Sequence, residues 1–145
     1  MPYESNLWNW LREGVKPLLA EKRLHICRVE NSVGFGYPDI EGCLDGRGFH
    51  LELKGCNRPA NPETPIRIKW QPGQKPWLKK RWGVGGSCFV LIRVGSRSQL
   101  KRYMIRGDQV EELGKAPESR LAELSVINPT TTPCEIVVYA ATIRS

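Results

Sequence analysis

The sequence predicts an α/β fold in which a mixed β-sheet is flanked by helices, an α/β sandwich. Three observations lead to this prediction. Asp45-Gly46 lies between two segments of alternating polarity, which is the strongest short-range signal for a β-hairpin. The run "SCFVLIRV" (Ser87 to Val94) is continuously apolar, as in a central strand buried on both faces. Helical patterns lie before and between the strands, giving the order helix, three strands, helix, one or two strands.

The first predicted elements are a helix and a strand. Apolar residues recur at helical spacing from Asn6 to about Glu21, although Gly14 and Pro17 weaken or kink this helix. The segment Leu24 to Val33 ("LHICRVENSV") is β-branched and alternating, and it ends in the glycine-rich "GFGYP". We therefore expect the first strand to lie there.

The hairpin that follows has predicted strands Asp39–Leu44 and Gly48–Lys54. A two-residue turn at Asp45-Gly46 sets Leu44 opposite Arg47, Ile40 opposite Leu51 and Asp39 opposite Glu52. The two carboxylates would then be neighbours. A four-residue loop would instead pair Asp39 with Lys54 and Glu41 with Glu52, so the register depends on the length of the turn.

Strand alternation divides the hairpin side chains between two faces. One face takes the apolar side chains of Phe49, Leu51 and Leu53, with Ile40 and Leu44. The other takes His50, Glu52 and Lys54, with Asp39 and Glu41. We expect the second face to gather two acids and an amine at the end of the hairpin far from its turn.

The remaining elements come from shorter patterns. "CNRPANPETPIR" (Cys56 to Arg67) has three prolines and predicts a loop. A helix is expected from Pro72 to about Trp82. After the apolar strand, "LKRYMIRG" predicts another strand, followed by a short helix capped by Asp108. The last third, with "NPTTTPCEIVVYAATI", predicts a terminal strand. We expect one domain over 1–145, with a core at about 6–107 and an extension at 108–145 that caps the sheet or forms a subunit interface.

The charge distribution indicates a polyanionic partner. The net charge is +7 and the pI is about 9.4, and all fifteen acids lie outside the segment from Thr64 to Gly107, which holds eleven Lys or Arg residues. The alternative is a solvated basic surface. No apolar run approaches 20 residues and no secretory pattern opens the chain, so neither a membrane span nor export is expected.

The five cysteines also narrow the class of protein. They are scattered, with no CxxC pair and no zinc-ligand spacing to the two histidines. Reduced thiols and a cytoplasmic location are therefore expected.

The paired acids predict a site for a hard divalent cation. Two adjacent carboxylates repel, and a cation such as Mg²⁺ relieves that repulsion by binding Asp39, Glu52 and a backbone carbonyl such as that of Leu53. Such an ion activates water and polarises phosphate, and Lys54 would orient or deprotonate the water or stabilise the transition state. These features predict phosphodiester hydrolysis. The alternative is an ordinary amphipathic strand.

Pro38-Asp39, twelve intervening residues and Glu52-Leu53-Lys54 resemble the motif of the PD-(D/E)xK nuclease superfamily. More narrowly, "GYPDIEG…GFHLELKG" followed by "Q-x-x-WL…GG-x-x-FVLIRV" resembles the virus-type replication-repair (VRR-NUC) nucleases and the small Holliday junction resolvases of phages. The resemblance covers roughly Asn6 to Val94. It implies a restriction-endonuclease-like core with the order αβββαβ, which agrees with the order of elements predicted above.

The resemblance also implies the roles of individual residues. Asp39 and Glu52 would bind the metal, Lys54 would be the catalytic lysine, and Gln74, or less favourably Gln71, would order the site or contact DNA. A further acid would come from Glu30, ahead of Glu4 and Glu13.

The implied activity is that of a Mg²⁺-dependent DNA endonuclease, with Mn²⁺ as an alternative metal, acting as a homodimer on branched or flap DNA. The basic residues expected to flank the site and bind nucleic acid are Arg67, Lys69, Lys75, Lys79, Lys80 and Arg81. Trp70 on the loop could stack on a base, whereas Trp77 fits the core. Two alternatives stay open, namely an inactive nucleic-acid-binding module of the same fold and a nuclease for RNA or single strands.

Overall fold

A computed structural model describes residues 2–29 and 35–144 of the chain. They form a five-stranded sheet with helices on both faces, as the sequence predicts. No helix in these two ranges is long and apolar enough to cross a bilayer. The elements are α1 (Pro2–Gly14), α2 (Lys16–Ala20), β1 (Leu24–Arg28), β2 (Ile40–Leu44), β3 (Arg47–Cys56), α3 (Gln74–Gly83), β4 (Cys88–Val94), β5 (Lys101–Arg106), α4 (Glu118–Leu124) and α5 (Pro133–Thr142), with 3₁₀ turns at Arg97–Gln99 and Gly107–Glu112.

The strands lie in chain order, β1-β2-β3-β4-β5, which places β3 at the centre of the sheet. The pairs β1–β2, β2–β3 and β4–β5 are antiparallel, whereas β3 and β4 are parallel. A parallel pair needs a long crossover, and the segment between β3 and β4 that contains α3 supplies it. Every β3 residue from Phe49 to Lys54 is buried.

The hairpin register follows the two-residue turn. Leu44 pairs with Arg47 and Ile40 with Leu51, so the alternative register with a four-residue loop is excluded. Both turn residues have positive φ, 50° at Asp45 and 84° at Gly46, which is the conformation of a type I′ turn. This turn fixes which β3 residue lies beside the segment that precedes β2.

Two apolar layers cover the sheet. On one face, α1 and α5 pack with residues such as Leu11 and Ile136 against Leu51, Leu53 and Leu91; we call this the α1 face. On the other, Leu78 of α3, Val110 and Leu121 pack against Val90, Ile92 and Ile105; we call this the α3 face.

Two boundaries differ from the predicted ones. The N-terminal helix is divided at Val15, and Pro17 lies at the start of the second piece, where its missing N–H costs no hydrogen bond. The first strand ends at Arg28 rather than Val33, and residues 30–34 lie outside the described ranges.

The predicted C-terminal strand is wrong, because Pro133–Thr142 is a helix. Thr132 and Glu135 form a capping box in which the Thr132 hydroxyl accepts from the Glu135 N–H and the Glu135 carboxylate accepts from the Thr132 N–H. This start signal and the packing of α5 on the sheet outweigh the β-propensity of the Val-Val-Tyr run. α5 therefore covers the α1 face instead of extending the sheet.

The predicted cap at Asp108 is also wrong. The segment Gly107–Glu112 is a 3₁₀ turn without a side-chain cap. The Asp108 carboxylate instead accepts two hydrogen bonds from the Arg106 guanidinium, at 3.0 and 2.8 Å. Because the Asp108 carboxylate is bound by the guanidinium of Arg106, it does not cap the N–H groups of the following turn.

Candidate active site

The site is built on β3, which directs His50, Glu52 and Lys54 to the α3 face by simple alternation. These three side chains are deeply buried, with exposed fractions of 9%, 2% and 5%. Since β3 is the central strand, they lie beneath α3 and the loop before it rather than on a wet surface. Ionisable side chains are rarely buried to this extent unless they are paired or bind an ion.

Asp39 immediately precedes β2 and lies beside Glu52, as the hairpin register requires. The Asp39 carboxylate accepts a hydrogen bond of 3.0 Å from the Leu53 N–H, and the Asp39 N–H donates one of 3.3 Å to Glu52 Oε1. These two bonds continue the β2–β3 ladder through side chains. They hold the two carboxylates next to each other at the point where the main-chain pairing ends.

Lys54 is held by three oxygen acceptors. Its Nζ lies 2.7 Å from the Lys69 carbonyl oxygen, 2.8 Å from Gln74 Oε1 and 3.3 Å from Glu52 Oε2. The ammonium also lies over the Trp70 ring, 4.8 Å from its centre. The loop before α3 thus completes the surroundings of Lys54.

Gln74 is the first residue of α3 and bridges Glu52 and Lys54. Its Nε2 donates to Glu52 Oε2 at 2.7 Å, and its Oε1 accepts from both Lys54 and the Gln71 N–H, the latter at 2.8 Å. The structure therefore brings Gln74 together with Asp39, Glu52 and Lys54. Gln71 reaches this network only through its main chain.

Two glycines allow the segment before Asp39 to meet the start of α3. Gly36 and Gly73 have φ of 80° and 87°, and a Cβ on Gly36 would lie 2.2 Å from the Gly73 carbonyl oxygen. Only a residue without a side chain fits both the conformation and the space. This main-chain contact fixes the distance between the part of the site that carries Asp39 and the part that carries Gln74.

The electrostatics of the site favour a bound cation. Burial, and then the charge of Asp39, raise the pKa of Glu52 to about 8, although the Lys54 ammonium opposes this. One lysine therefore does not compensate two adjacent carboxylates, and a divalent ion would.

Leu53 adds a main-chain oxygen to the same place. A strand residue points its N–H and C=O to the same side, and the Leu53 N–H points at Asp39, so its carbonyl faces that way too. Two carboxylates and a carbonyl are the ligands that Mg²⁺ prefers. Among residues 2–29 and 35–144 no group of three His, Cys, Asp or Glu side chains forms a metal site, so waters and substrate would have to complete the shell.

A cluster beside the site was not assigned any role from the sequence. Tyr37 is hydrogen-bonded to His50 Nε2 at 3.0 Å and to Glu41 at 3.1 Å, and Trp77 packs edge-on against both Tyr37 and His50. Burial, and then the charge of Arg81, lower the pKa of His50. The alternation that places His50 on the face of Glu52 was the available signal.

The predicted basic residues lie on the loop and helix that cover the site. Arg67, Lys69, Lys79 and Lys80 are exposed, whereas Lys75 and Arg81 are half-buried. Lys75 lies over Trp70, Arg81 over Trp77, and Lys79 pairs with Glu111.

The two tryptophans on this segment are packed. Trp77 is half-buried, as expected for a residue that fits the core. Trp70 is also half-buried and donates to the Leu113 carbonyl at 3.2 Å, so its ring is partly committed to the fold.

Of the three candidates for the further acid, the two that the structure describes do not lie next to the two carboxylates. Glu4 lies on α1, which packs on the opposite face of the sheet, and Glu13 pairs with Lys16 at 2.6 Å. Glu30, the favoured residue, lies outside the described ranges.

Comparison with known proteins gives a structural match only. Neither models of protein families nor curated protein sequences match the chain. Among solved structures it is similar to Hjc, a Holliday junction resolvase from the archaeal hyperthermophile Archaeoglobus fulgidus, with a TM-score of 0.51 and 19% identity over 91% of this chain and 98% of that one. At this identity the likeness bears on the fold alone. It shows that the mixed five-stranded sheet with flanking helices is the restriction-endonuclease-like α/β fold of that resolvase.

Proposed function

We propose that this protein is a divalent-metal-dependent DNA endonuclease that cuts branched DNA. The observation that carries the proposal is the convergence of Asp39, Glu52, Lys54 and Gln74 on one buried point at the centre of the sheet. The fold shared with a Holliday junction resolvase supports it.

Asp39, Glu52 and the Leu53 carbonyl would hold Mg²⁺, or Mn²⁺ in its place. The ion would supply a polarised phosphate and an activated water. The residues of this chain would hold the ligand oxygens in position and shape their surroundings. The hydrogen bonds to Asp39 and Glu52 aim their oxygens, and burial excludes bulk water, which strengthens every charge interaction in the site.

Lys54 is the candidate for proton transfer or for charge stabilisation. Its ammonium lies 3.3 Å from Glu52 and is held in place by Gln74 and the Lys69 carbonyl. A group positioned in this way can orient a water or offset the charge that develops on a phosphate. Gln74 acts as a positioning residue, since it contacts both Glu52 and Lys54.

The charge favours a nucleic-acid substrate, and we propose that it is DNA. The segment 64–107 carries eleven basic residues and no acid, and it includes the loop and helix over the site. Phosphates bound there would release counterions and steer the backbone to Asp39 and Glu52. Cutting two strands of a junction needs two such sites, so we propose a homodimer. Because the five cysteines are free thiols, we propose that it works in the cytoplasm.

The experiment compares cleavage by the parent, Asp39→Ala and Lys54→Ala in Mg²⁺ and in EDTA. Substrates are a four-way junction, a flap, nicked and intact duplexes, a single strand and RNA. Asp108→Ala and Lys16→Ala remove the same charges from exposed ion pairs and serve as controls.

We expect the parent and both controls to cut the junction or flap in Mg²⁺ but not in EDTA. The two site variants should not cut in either condition. Cleavage that persists in Asp39→Ala and Lys54→Ala would show that the site is wrongly assigned. Binding without any cleavage would instead indicate a nucleic-acid-binding module, and preferred cleavage of RNA or single strands would change the substrate.

A further inference from the structure

Two arginines lie side by side on the α1 face, away from the candidate active site, and neither has an acidic partner in the described part of the chain. Arg93 of β4 and Arg102 of β5 are directly opposite in the antiparallel register. Both alternate with residues of the α3 face, so their side chains lie on the other side of the sheet from Glu52 and Lys54. Like charges directly opposite each other destabilise a sheet, so the stability of the sheet does not explain why these two arginines are paired.

Part of each guanidinium group is buried and forms no hydrogen bond in the described part of the chain. Arg93 Nη1 and Arg102 Nε are buried and have no partner in the described part of the chain. Neither guanidinium forms an ion pair with any carboxylate of residues 2–29 and 35–144. Four other arginines do pair with carboxylates, namely Arg23, Arg58, Arg106 and Arg120.

Aromatic rings of α1 hold the two guanidinium groups in place. The central carbon of Arg93 lies 5.1 Å from the centre of the Tyr3 ring, and that of Arg102 lies 3.7 Å from the centre of the Trp10 ring. Stacking of this kind orients the planar fork without using its in-plane N–H donors. Burial, and then the charge of Arg93, lower the pKa of Arg102, and no carboxylate in the described part of the chain pairs with either guanidinium.

The surroundings favour a phosphate backbone as that anion. Arg97, in the connection between β4 and β5, is exposed, and the hairpin from Cys88 to Arg106 contains no acid. Guanidinium forks bind phosphate oxygens in pairs. Two adjacent guanidinium groups in a hairpin without acids match a polyanion better than a single carboxylate.

We propose that Arg93 and Arg102 form a phosphate-binding site on the α1 face that holds a second segment of the nucleic-acid substrate. The segment to be cut would lie on the α3 face. The inference rests on the proposed function and deepens it, because it states why a branched substrate would be preferred. A branched molecule can place one arm at the active site and another arm on the opposite face of the sheet, whereas a short duplex is too stiff to bend around it.

The test measures binding in EDTA, where no cutting is expected. Fluorescence anisotropy gives the affinity for a labelled four-way junction and for a duplex the length of one arm, between 50 and 300 mM salt. The double variant Arg93→Gln/Arg102→Gln is compared with the parent and with Arg47→Gln/Arg120→Gln, which removes the same two charges from exposed or acid-paired arginines.

We expect the Arg93→Gln/Arg102→Gln variant to bind the junction roughly tenfold or more weakly at low salt, with a log–log salt slope reduced by about 2. Its affinity for the short duplex should stay within about twofold of the parent's. An unchanged junction affinity and slope, or an equal loss on the short duplex, would overturn the inference. If the parent binds no DNA, the proposed function fails as well.

A second measurement does not depend on whether the variant folds. Phenylglyoxal modifies accessible arginines, and mass spectrometry of the parent with and without the junction reports which are protected. We expect bound junction to protect Arg93 and Arg102, whereas a short duplex should not. Equal modification in both states would contradict the proposed site.

Discussion

Glu52→Gln is expected to make the metal-free protein more stable while it abolishes cutting. Folding raises the pKa of Glu52 from 4.5 to about 8, mainly by burial and then by the charge of Asp39. A carboxyl of this kind stabilises the folded state fully below pH 4.5, and that stability is lost as the pH rises towards 8. Glutamine keeps the shape of the protonated acid and cannot ionise, so it avoids the loss.

The size of this gain in stability follows from the change in the pKa of Glu52 on folding. Between these two pKa values each pH unit costs about 1.4 kcal/mol. At pH 7 the parent has therefore lost on the order of 3 kcal/mol relative to Glu52→Gln. For a chain of 145 residues this corresponds to an increase of about 1 to 2 M in the urea midpoint.

The assay is urea unfolding in EDTA at each pH from 4 to 9. We expect no difference near pH 4, a growing advantage for Glu52→Gln up to about pH 8, and no further change above it. Glu111→Gln is the control, because Glu111 is exposed and its pairing with Lys79 lowers the pKa of the Glu111 carboxyl instead of raising it. A difference that does not vary with pH, or a variant less stable than the parent at pH 8, would refute the electrostatic argument.

Three further changes test the candidate site and the packing of the fold. Gln74→Ala should cost about 1 to 3 kcal/mol in urea unfolding and slow cutting roughly 10- to 100-fold, because the buried side chains of Glu52 and Lys54 each lose a hydrogen-bond partner; normal cutting would contradict its positioning role. Thr132→Ala should cost about 1 kcal/mol by removing the α5 cap, and unchanged stability would argue against that cap. Gly42→Ala should cost about 1 to 3 kcal/mol, since its Cβ would meet the Phe49 ring at 2.2 Å. Gly83→Ala, with nothing within 4 Å, is its control, and equal costs would refute the packing argument.

The hairpin could be predicted from sequence because its determinants are local. Asp45-Gly46 selects the turn, and the turn selects the register that places Asp39 beside Glu52. The internal position of β4, buried on both faces, followed from its uninterrupted apolar run in the same way. Strand alternation then placed Lys54 on the face of Glu52 without any long-range information.

The contacts made across the fold could not be predicted in this way. The bonds from Gln74 to Glu52 and Lys54 depend on how the crossover returns to the sheet. That path is fixed by the contact between Gly36 and Gly73, 37 positions apart in sequence. The strand predicted over the β-branched run of α5 is wrong because strand propensity is only one local preference, whereas the helix depends on the capping box at Thr132 and on packing against the sheet.

The parallel pairing of β3 with β4 has a consequence for the order of folding. The meander of β1, β2 and β3 closes through short connections, whereas β4 can join only after the long crossover has been arranged. We therefore expect Asp39 and Glu52 to meet early, before Gln74 arrives, so that the two acids repel each other in a partly assembled chain. Pulse-labelled hydrogen exchange should show β2 and β3 amides protected before those of α3, and faster closure of the meander in acid than at pH 8.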